Sequence, residues 1–427
     1  GLMPLILPGN VASATASTGV TIANSCRFNH ADSATLSKTS SSSAEEKLTI
    51  STWIKRSYVG EEGLIGNTSS GSDWAMFYFD GANRLQFASY ISSSYVMRYT
   101  TNRVFNDVGA WMHLVGTVDI SLASPEVKLY VNGEEQTDLK YNVTPSQSAD
   151  IGWFNAWDFA IASNFGTGRY LGGYLSEVCY IEGSIYPASS FGEFNEDSPT
   201  IWQPKSADDI SELTFGTNGF YLNFEDSADL GADVSGNSND LTENNLDATD
   251  QATDTPTNNF ATWNQLDYWS NSTAAAGTFL SEGNLDYDVG SSAKGLIRST
   301  IGVNSGKWYW EVKNDILNFA LDMDNYAFYI GLNGTWMNSG DPTSGASKTG
   351  AISELFTNGS TYLSDYGEVF ASLYCSSTAG SIDASANFGN PPYANSSDAA
   401  DGNGYGAFEY APPSGYYALC TKNLAEY

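Results

Sequence analysis

The sequence has few of the side chains that build metal centres and catalytic triads. It contains two histidines, His30 and His113, and four cysteines with no Cys-x-x-Cys spacing. A structural zinc site needs four closely spaced Cys or His ligands, so this composition argues against one. The cysteines are Cys26, Cys179, Cys375 and Cys420. We expect them to be buried, reduced side chains, and a disulfide between the first two is the less favoured alternative.

Basic residues are also scarce. The 427 residues include 18 Lys and Arg against 49 Asp and Glu, which gives a formal net charge of −31. Nucleic acids and anionic membrane surfaces are bound mainly through Lys and Arg, so neither is an expected partner. No apolar run approaches the roughly 20 residues that cross a bilayer, and we therefore predict no membrane insertion.

Helical periodicity is absent, whereas short alternating runs are frequent. The clearest lie at residues 47–56, 74–88, 111–121 and 127–135, where apolar and polar side chains alternate between turns. The Asn-Gly pair at 132–133 supplies the positive φ angles of a tight hairpin. Many such strands without intervening helices indicate antiparallel β-sandwiches.

The composition along the chain indicates two domains. An extended N-terminal arm is predicted for residues 1–22, because prolines interrupt its short apolar segment and it lacks a basic leader region. A first sandwich is predicted at 23–190, a polar connector at 191–213 and a second β-rich domain at 214–427. The predicted fold class is all-β, with two antiparallel jelly-roll sandwiches in tandem.

Several phrases carry resemblances to known families. The order of "SCRFNHADSATLSKT", "LTISTWIKR", "AMFYFDGANRLQF", "AWMHLVGTVD", "VKLYVNGEE" and "GRYLGGYLSEVCYIEG" resembles the laminin-G-like, concanavalin-type lectin sandwich. "GKWYWEV" resembles the most recognisable strand of SPRY domains. With "MPLILPGNVASATA", "FGEFNEDSPTIWQPK" and the closing "APPSGYYALCTKNLAEY", the joined arrangement is similar to a group of tailed-phage structural proteins common in marine phages.

This resemblance implies a non-enzymatic protein of the virion surface, of the tail-fibre or head-fibre type, made in the host cytoplasm. Its sandwich-edge loops would recognise a host-surface polysaccharide or protein, and its N-terminal arm would contact other virion proteins. Assembly as a homo-oligomer is compatible with such a role. Two alternatives remain: a purely architectural capsid-decoration or fibre-connector protein, and a polysaccharide depolymerase.

Catalytic patterns were sought because concanavalin-type sandwiches also include glycoside hydrolases. The nearest match to a Glu-x-Asp-x-x-Glu strand is "EVCYIE", which runs from Glu177 to Glu182. It lacks the central Asp, and its odd spacing predicts that the two carboxylates lie on opposite faces of the strand. No Gly-x-Ser-x-Gly occurs, and His113 alternates with apolar residues, so a structural histidine is favoured over a catalytic base. No catalytic residue is predicted.

Aromatic and polar residues that could contact a sugar occur together in predicted loops. In the first domain these loops are 71–74, 151–159 and 164–170, and in the second domain 336–342. The candidate ligand contacts are Trp74, Trp153, Trp157, Asn164, Arg169, Trp336 and Asp341. Packing of a tryptophan into the sandwich edge is the competing interpretation for each aromatic residue.

Asp and Asn are concentrated in "DVSGNSND" at residues 233–240. Their oxygens are suitable calcium ligands, with Asp233, Asn237 and Asn239 as the candidates. The glycine comes too early for an EF-hand and the Glu at position 12 is missing. A turn held by Asx hydrogen bonds is therefore favoured, with no cofactor required and calcium as the alternative.

Successive side chains of a β-strand point to opposite faces, so the adjacent aromatics of "GKWYWEV" are predicted to lie on different faces. Trp308, Trp310 and Val312 are predicted to share an inward apolar face. The opposite face, with Tyr309 and Glu311, is expected to be the wetter one. The motif therefore predicts a fold element rather than a binding platform.

Overall fold

The computed structural model describes residues 20–164, 168–196, 198–271, 280–289, 293–313, 315–352, 368–376 and 383–426. Its internal contacts divide the chain into two units. Among the described residues, the first unit comprises 20–107 and 111–257, and the second comprises 258–426 together with 108–110. The described residues are nearly all β, in antiparallel sheets, which confirms the predicted fold class.

Among its described residues, the first unit contains eighteen short strands and almost no helix. The strands are β1 (Ser25–Phe28), β2 (Thr35–Thr39), β3 (Lys47–Arg56), β4 (Glu62–Ser70), β5 (Asp73–Phe79), β6 (Arg84–Ile91), β7 (Ser94–Val104), β8 (Met112–Asp119), β9 (Glu126–Val131), β10 (Glu134–Glu135), β11 (Leu139–Val143), β12 (Asp158–Ile161), β13 (Gly173–Glu182), β14 (Gly192–Phe194), β15 (Trp202–Pro204), β16 (Phe220–Leu222), β17 (Thr242–Asn244) and β18 (Gln251–Ala252). The helical segments are α1 (Ala207–Ser211) and the 3₁₀ turns Ala188–Ser190 and Ala248–Asp250.

Two antiparallel sheets form the first sandwich. Sheet I has the strand order β10-β9-β8-β3-β13-β1-β18, with β16 also paired to β13, and sheet II has the order β11-β7-β6-β5-β4-β12-β2-β17. Alternate residues enter the core: Leu48, Ile50 and Ile54 of β3 and Phe77 and Phe79 of β5 are fully buried in one cluster. Burying each such side chain contributes about 1.5–3 kcal/mol.

Local sequence explains the hairpins on these sheets. Asn132 and Gly133 between β9 and β10 have φ angles of 49° and 79°, as the Asn-Gly turn predicts. Between β5 and β6, the Asp80 carboxylate accepts the backbone N–H of Ala82 and Arg84, both at 2.9 Å. The strands predicted at 74–88 and 127–135 are therefore determined by their local turns and alternation.

The structure differs from the predicted domain boundary at residue 214. Strand β16 pairs with β13, β17 with β2 and β18 with β1, so the stretch up to residue 257 completes the first sandwich. Asp254 anchors it: one carboxylate oxygen accepts Lys55 Nζ at 2.6 Å and the other accepts Trp111 Nε1 at 2.8 Å. These strands have two or three residues each, too few for alternation to identify them from sequence.

The second unit has eleven strands among the described residues. They are β19 (Trp263–Ser270), β20 (Leu280–Ser281), β21 (Asp286–Asp288), β22 (Lys294–Val303), β23 (Lys307–Lys313), β24 (Leu317–Asp322), β25 (Ala327–Leu332), β26 (Thr335–Trp336), β27 (Val369–Ser376), β28 (Asp383–Asn387) and β29 (Tyr417–Ala418). The helical segments are α2 (Thr421–Leu424) and the 3₁₀ turns Glu282–Asn284, Met337–Ser339 and Pro342–Ser347.

These strands form two sheets. Sheet III has the order β19-β22-β27, and sheet IV the order β20-β21-β28-β23-β24-β25-β26. Strand β29 runs parallel to β23, whereas the other pairs are antiparallel. The core of this unit includes Trp263 of β19 and Trp308 and Trp310 of β23.

The "GKWYWEV" strand, β23, alternates as predicted. Trp308, Trp310 and Val312 pack in one buried cluster, and Tyr309 packs in another on the opposite face. The expectation that this opposite face is wet is wrong, because Tyr309 is 1% exposed and Glu311 is fully buried. Residues from 405–418 cover Tyr309 and Glu311. The sequence did not predict this layer, because the segment has no alternating run long enough to identify a strand.

Two other sequence predictions can be compared with the structure. All four cysteines are free and buried, which confirms the thiol prediction. No helix in the described part of the chain is long and apolar enough to cross a bilayer. The predicted N-terminal arm lies outside the described residues except at 20–22.

Candidate functional site

The face of sheet II that points away from the core carries a row of aromatic rings. Because Phe77 and Phe79 point into the core, alternation turns Trp74 outward on β5. Trp74 lies opposite Tyr90 of β6, and Tyr90 lies opposite Tyr95 of β7. The ring centroids of Trp74 and Tyr90 are 5.4 Å apart and stacked, and those of Tyr90 and Tyr95 are 4.9 Å apart.

Exposure differs along this row. Trp74 is 9% exposed and lies beneath its neighbours, whereas Tyr90 and Tyr95 are half-buried and reach solvent. Tyr141, on the edge strand β11, is 37% exposed. We call the set Trp74, Tyr78, Tyr90, Tyr95 and Tyr141 the aromatic face. Solvent-accessible rings held on a rigid sheet can stack on the apolar face of a ligand without losing much conformational entropy.

A polar chain runs along the same surface. Gln86 Oε1 accepts Thr100 Oγ1 at 2.7 Å and Arg98 Nε at 3.2 Å. The Gln86 amide nitrogen donates to the hydroxyl of Tyr78. Burial raises the pKa of Tyr78, which therefore remains a neutral phenol. These hydrogen bonds orient the Arg98 guanidinium on the aromatic face.

Arg98 is held between two rings of the aromatic face. Its guanidinium carbon lies 4.4 Å from the ring centroid of Tyr95 and 3.7 Å from that of Tyr141. Lys140 Nζ lies 5.2 Å from the same Tyr141 ring. Cations above aromatic rings are attracted by the ring quadrupole, so this edge of the face collects positive charge.

Three of the predicted ligand contacts, Trp74, Asn164 and Arg169, meet at the other edge of the aromatic face. Arg169 lies with its guanidinium carbon 5.7 Å from the Tyr78 ring centroid and pairs with Glu61 at 3.0 Å. Asn164 Oδ1 accepts Thr68 Oγ1 at 3.0 Å, and Thr68 lies opposite Trp74. Asn164 is 2% exposed, so it supports the edge from below rather than presenting its amide to solvent.

The structure separates the other two first-domain tryptophans from this site. Trp153 is 1% exposed and its ring lies 5.5 Å from Phe87 in the sandwich core. A ring this buried has no face for a ligand, and the packing interpretation holds for it. Trp157 is half-buried against Gly152, where a Cβ would come within 2.7 Å of the indole ring. The loop that contains both is apolar because it closes one end of the core.

The two predicted contacts of the second unit have structural partners. Trp336 is half-buried, with its ring 6.5 Å from Tyr309 and 6.4 Å from Tyr329. Asp341 caps the 3₁₀ turn that follows it: its carboxylate accepts the backbone N–H of Thr343 at 2.9 Å and the Thr343 hydroxyl at 2.6 Å. The ring packing of Trp336 and the hydrogen bonds of Asp341 account for these residue types without a ligand.

The predicted calcium loop is held by its own hydrogen bonds. Asp233 accepts three backbone N–H groups, from Tyr221 at 3.0 Å and from Ser235 and Asn239 at 2.8 Å each. The side-chain amides of Asn237 and Asn239 both donate to the carbonyl of Gly219, at 2.9 Å each. Among the described residues, no group of three or more His, Cys, Asp or Glu is arranged to hold a metal ion. The geometry is that of the favoured Asx turn.

A buried serine–histidine pair lies on sheet I. Ser51 Oγ is 2.8 Å from His113 Nε2, and Trp202 Nε1 donates to His113 Nδ1 at 3.1 Å. Because Nδ1 accepts, Nε2 carries the hydrogen of the neutral ring and cannot take a proton from Ser51. Burial lowers the pKa of His113 to about 3, which keeps the ring neutral. The pair has the wrong tautomer for a nucleophilic triad, and the structural interpretation of His113 is confirmed.

The two glutamates of β13 lie on opposite faces, as their spacing predicts. Glu177 accepts a hydrogen bond from the hydroxyl of Tyr221, on the side of sheet I away from the sandwich core. Glu182 accepts the hydroxyl of Tyr180, which belongs to the sandwich core, at 3.4 Å. The two carboxylates therefore cannot act on one glycosidic bond.

Tyr90, Tyr95, Arg98 and Tyr141 are not among the predicted ligand contacts, because they lie on strands and the predicted contacts lie in loops. The signal was present in "RLQFASY", where Gln86, Ala88 and Tyr90 alternate with the core residues Leu85, Phe87 and Ser89. Extending the strand period across the hairpin would have aligned Tyr90 with Trp74. The candidate site is thus a sheet face with loop residues at one edge.

Comparisons with known proteins agree with the architecture of the first unit. A family model for the concanavalin A-like lectin/glucanases superfamily matches residues 28–183. No curated protein matches the chain.

Three solved structures illustrate what the chain is similar to. A SAP-like pentraxin from Limulus polyphemus is 15% identical with a TM-score of 0.30, over 39% of this chain and 80% of that one. The CBM40 of a Ruminococcus gnavus sialidase, bound to α2,3-sialyllactose, is 15% identical with a TM-score of 0.25, over 31% and 73%. The agglutinin CG-16 from chicken liver is 13% identical with a TM-score of 0.23, over 34% and 98%.

Proposed function

We propose that the first unit binds a glycan through its aromatic face. The observation that carries this proposal is the row Trp74, Tyr90 and Tyr95, whose outer rings reach solvent on a rigid sheet. The match to a lectin/glucanase family model over residues 28–183 supports a carbohydrate ligand. Arg98 and Arg169 add donors beside the rings, where they can bind sugar oxygens, and the buried Gln86 orients Arg98 from below.

We propose that the protein binds its ligand without cleaving it. Glu177 and Glu182 point to opposite faces of β13, and the His113 tautomer is unsuited to activate Ser51. Release of oligosaccharides from the bound polymer, measured by chromatography of the supernatant, would favour the depolymerase alternative.

The setting of this binding is proposed from the sequence resemblance alone. The chain would be displayed on a phage virion as a tail or head fibre and would recognise a host-surface polysaccharide or protein. Its N-terminal arm would contact other virion proteins, and the chain would assemble as a homo-oligomer. Cryo-electron microscopy of a virion that carries it separates recognition from architecture: an outward-facing aromatic face supports recognition, and a face covered by other subunits supports the connector role.

The test of glycan binding uses the full chain on an array of neutral and acidic polysaccharides. We expect binding that falls about tenfold or more when Tyr90 and Tyr95 are both replaced by alanine, because each loses a stacking surface. Tyr374→Ala is the matched control, since this tyrosine is 56% exposed in the second unit. Absence of binding to every polysaccharide by the folded protein would overturn the proposal, as would equal losses in the double variant and the control.

A further inference from the structure

We infer that the ligand of the aromatic face is an acidic polysaccharide, whose carboxylate group binds Arg98. This inference rests on the proposed function, because it names the ligand class of the same site. It arises from one feature of Arg98: the chain has a net charge of −31, yet among the described residues no carboxylate forms an ion pair with this cation.

The ion pairs of the other arginines make the contrast clear. The sequence has seven arginines, Arg27, Arg56, Arg84, Arg98, Arg103, Arg169 and Arg298. Five of them pair with a carboxylate. Within the described part of the chain, the ion pairs include neither Arg98 nor Arg103. The sequence has 49 acidic residues, yet no described carboxylate pairs with this guanidinium at the edge of the aromatic face, so it is available to an external anion.

The geometry of Arg98 also suits a carboxylate. Its Nε donates to Gln86 Oε1 at 3.2 Å, and its planar group is held against the rings of Tyr95 and Tyr141. The terminal Nη1 and Nη2 atoms therefore remain as a pre-oriented fork. Such a fork matches the two oxygens of a carboxylate in a bidentate pair, which is stronger and more directional than a neutral hydrogen bond.

The surrounding charges favour the same ligand. Lys140 Nζ approaches the Tyr141 ring from the edge strand and adds a second positive charge beside Arg98. At the far edge, Arg169 is already neutralised by Glu61 at 3.0 Å. Among the described residues, the ion pairs therefore include Arg169 at one edge of the row and neither Arg98 nor Lys140 at the other. A polymer of alternating apolar ring faces and carboxylates, such as a polyuronate, would place its rings on Tyr90 and Tyr95 and one carboxylate on Arg98.

The experiment compares two polymers with the same backbone. Polygalacturonate carries a carboxylate on each ring, whereas its fully methyl-esterified form is neutral. Binding of the full chain to each polymer is measured by surface plasmon resonance at one fixed ionic strength. We expect polygalacturonate to bind at least about tenfold more tightly than the ester, as one charge-assisted bidentate contact implies.

Substitutions of Arg98 test whether this residue causes the preference for polygalacturonate. Arg98→Gln should weaken binding of polygalacturonate much more than binding of the ester, and so remove most of the preference. Arg98→Lys keeps the charge but not the planar fork, and should retain only part of the preference. Arg103→Gln is the matched control, because Arg103 lies on the same strand, is exposed, and approaches Phe105 rather than the aromatic face. Thermal unfolding confirms that each variant is folded.

The outcomes separate this inference from the proposed function. Equal binding of the two polymers, or an equal preference in Arg98→Gln and wild type, would overturn the acidic ligand while glycan binding stands. Binding of dextran sulfate at the aromatic face, with no binding of polygalacturonate, would replace the carboxylate by a sulfate ester and overturn the assignment. If the chain binds no polysaccharide at all, both proposals fail together.

Discussion

The phenol of Tyr309 donates a hydrogen bond to Oε1 of Glu311 at 2.8 Å, on the same face of β23. The Glu311 carboxylate also accepts the backbone N–H of Glu409 and of Tyr410, each at 2.9 Å. Burial raises the pKa of Glu311, and these donors oppose the shift by stabilising the charged form. A residue pair within the most conspicuous motif therefore fastens the segment at 409–410 to sheet IV.

Removing the phenol hydroxyl tests this role. Tyr309→Phe should lower the free energy of unfolding by about 1–2 kcal/mol, because a buried carboxylate loses a donor and no water replaces it. Urea unfolding followed by tryptophan fluorescence measures the change. Tyr374→Phe removes an exposed hydroxyl and should change stability by less than about 0.5 kcal/mol. Equal effects in the two variants would contradict the role of the Tyr309–Glu311 contact.

The two tryptophans of β23 should behave as core residues. Trp308→Ala or Trp310→Ala should cost about 3–5 kcal/mol, since each leaves a cavity and loses buried apolar area. Trp269→Ala is the control, because Trp269 is 52% exposed on sheet III and its truncation leaves no cavity. Chemical denaturation provides all three values. A Trp308 variant that kept full stability but lost ligand binding would contradict the core role and indicate that the motif is a binding site.

Glu177 should give the protein a defined pH dependence. Burial raises its pKa from 4.5 to about 7. The protonated form is favoured in the folded state, so this stabilisation is complete below pH 4.5 and is lost as the pH rises through about 7.

Glu177→Gln should remove this contribution. Between pH 4.5 and pH 7 the wild type should lose stability relative to the variant by up to about 3 kcal/mol, as a shift of this size implies. Unfolding free energies at several pH values give the difference, and His113 cancels because it is present in both proteins. The exposed Glu135→Gln serves as control. A pH-independent difference between wild type and variant would rule out the raised pKa.

Asp233 should be needed for its turn and not for a metal. Asp233→Ala leaves three backbone N–H groups without their acceptor and should cost about 1–3 kcal/mol. We expect millimolar calcium or EDTA to leave the thermal midpoint of the wild type unchanged. A calcium-dependent rise in the midpoint that Asp233→Ala abolishes would instead establish the calcium alternative.

The candidate site was only partly predictable. Trp74 and Arg169 were identified because aromatic and basic residues in short polar segments are typical of ligand contacts. Trp153 was included by the same reasoning, although its ring is 1% exposed in the core. One-dimensional patterns do not distinguish a loop that reaches solvent from a loop that closes the end of a sandwich. Tyr90 and Tyr95 became visible only when strand pairing brought β5, β6 and β7 side by side.

The sequence by itself determined the class of structure. Alternation with a period of two, the Asn-Gly turn and the lack of helical periodicity specify short antiparallel strands, because these are properties of neighbouring residues. The same local physics assigned Trp308 and Trp310 to one face of β23. The scarcity of histidine and of basic residues already argued against a zinc site and a nucleic-acid ligand.

Only the tertiary structure decided what each face of a strand meets. The side of β23 with Tyr309 and Glu311 is buried because residues from 405–418 cover it, and the first sandwich extends to residue 257 because three short strands join its sheets. The position of Arg98 beside Tyr95 and Tyr141 is likewise a product of pairing between distant segments. Contacts between residues far apart in sequence determine burial and charge compensation, and those two properties define the candidate site.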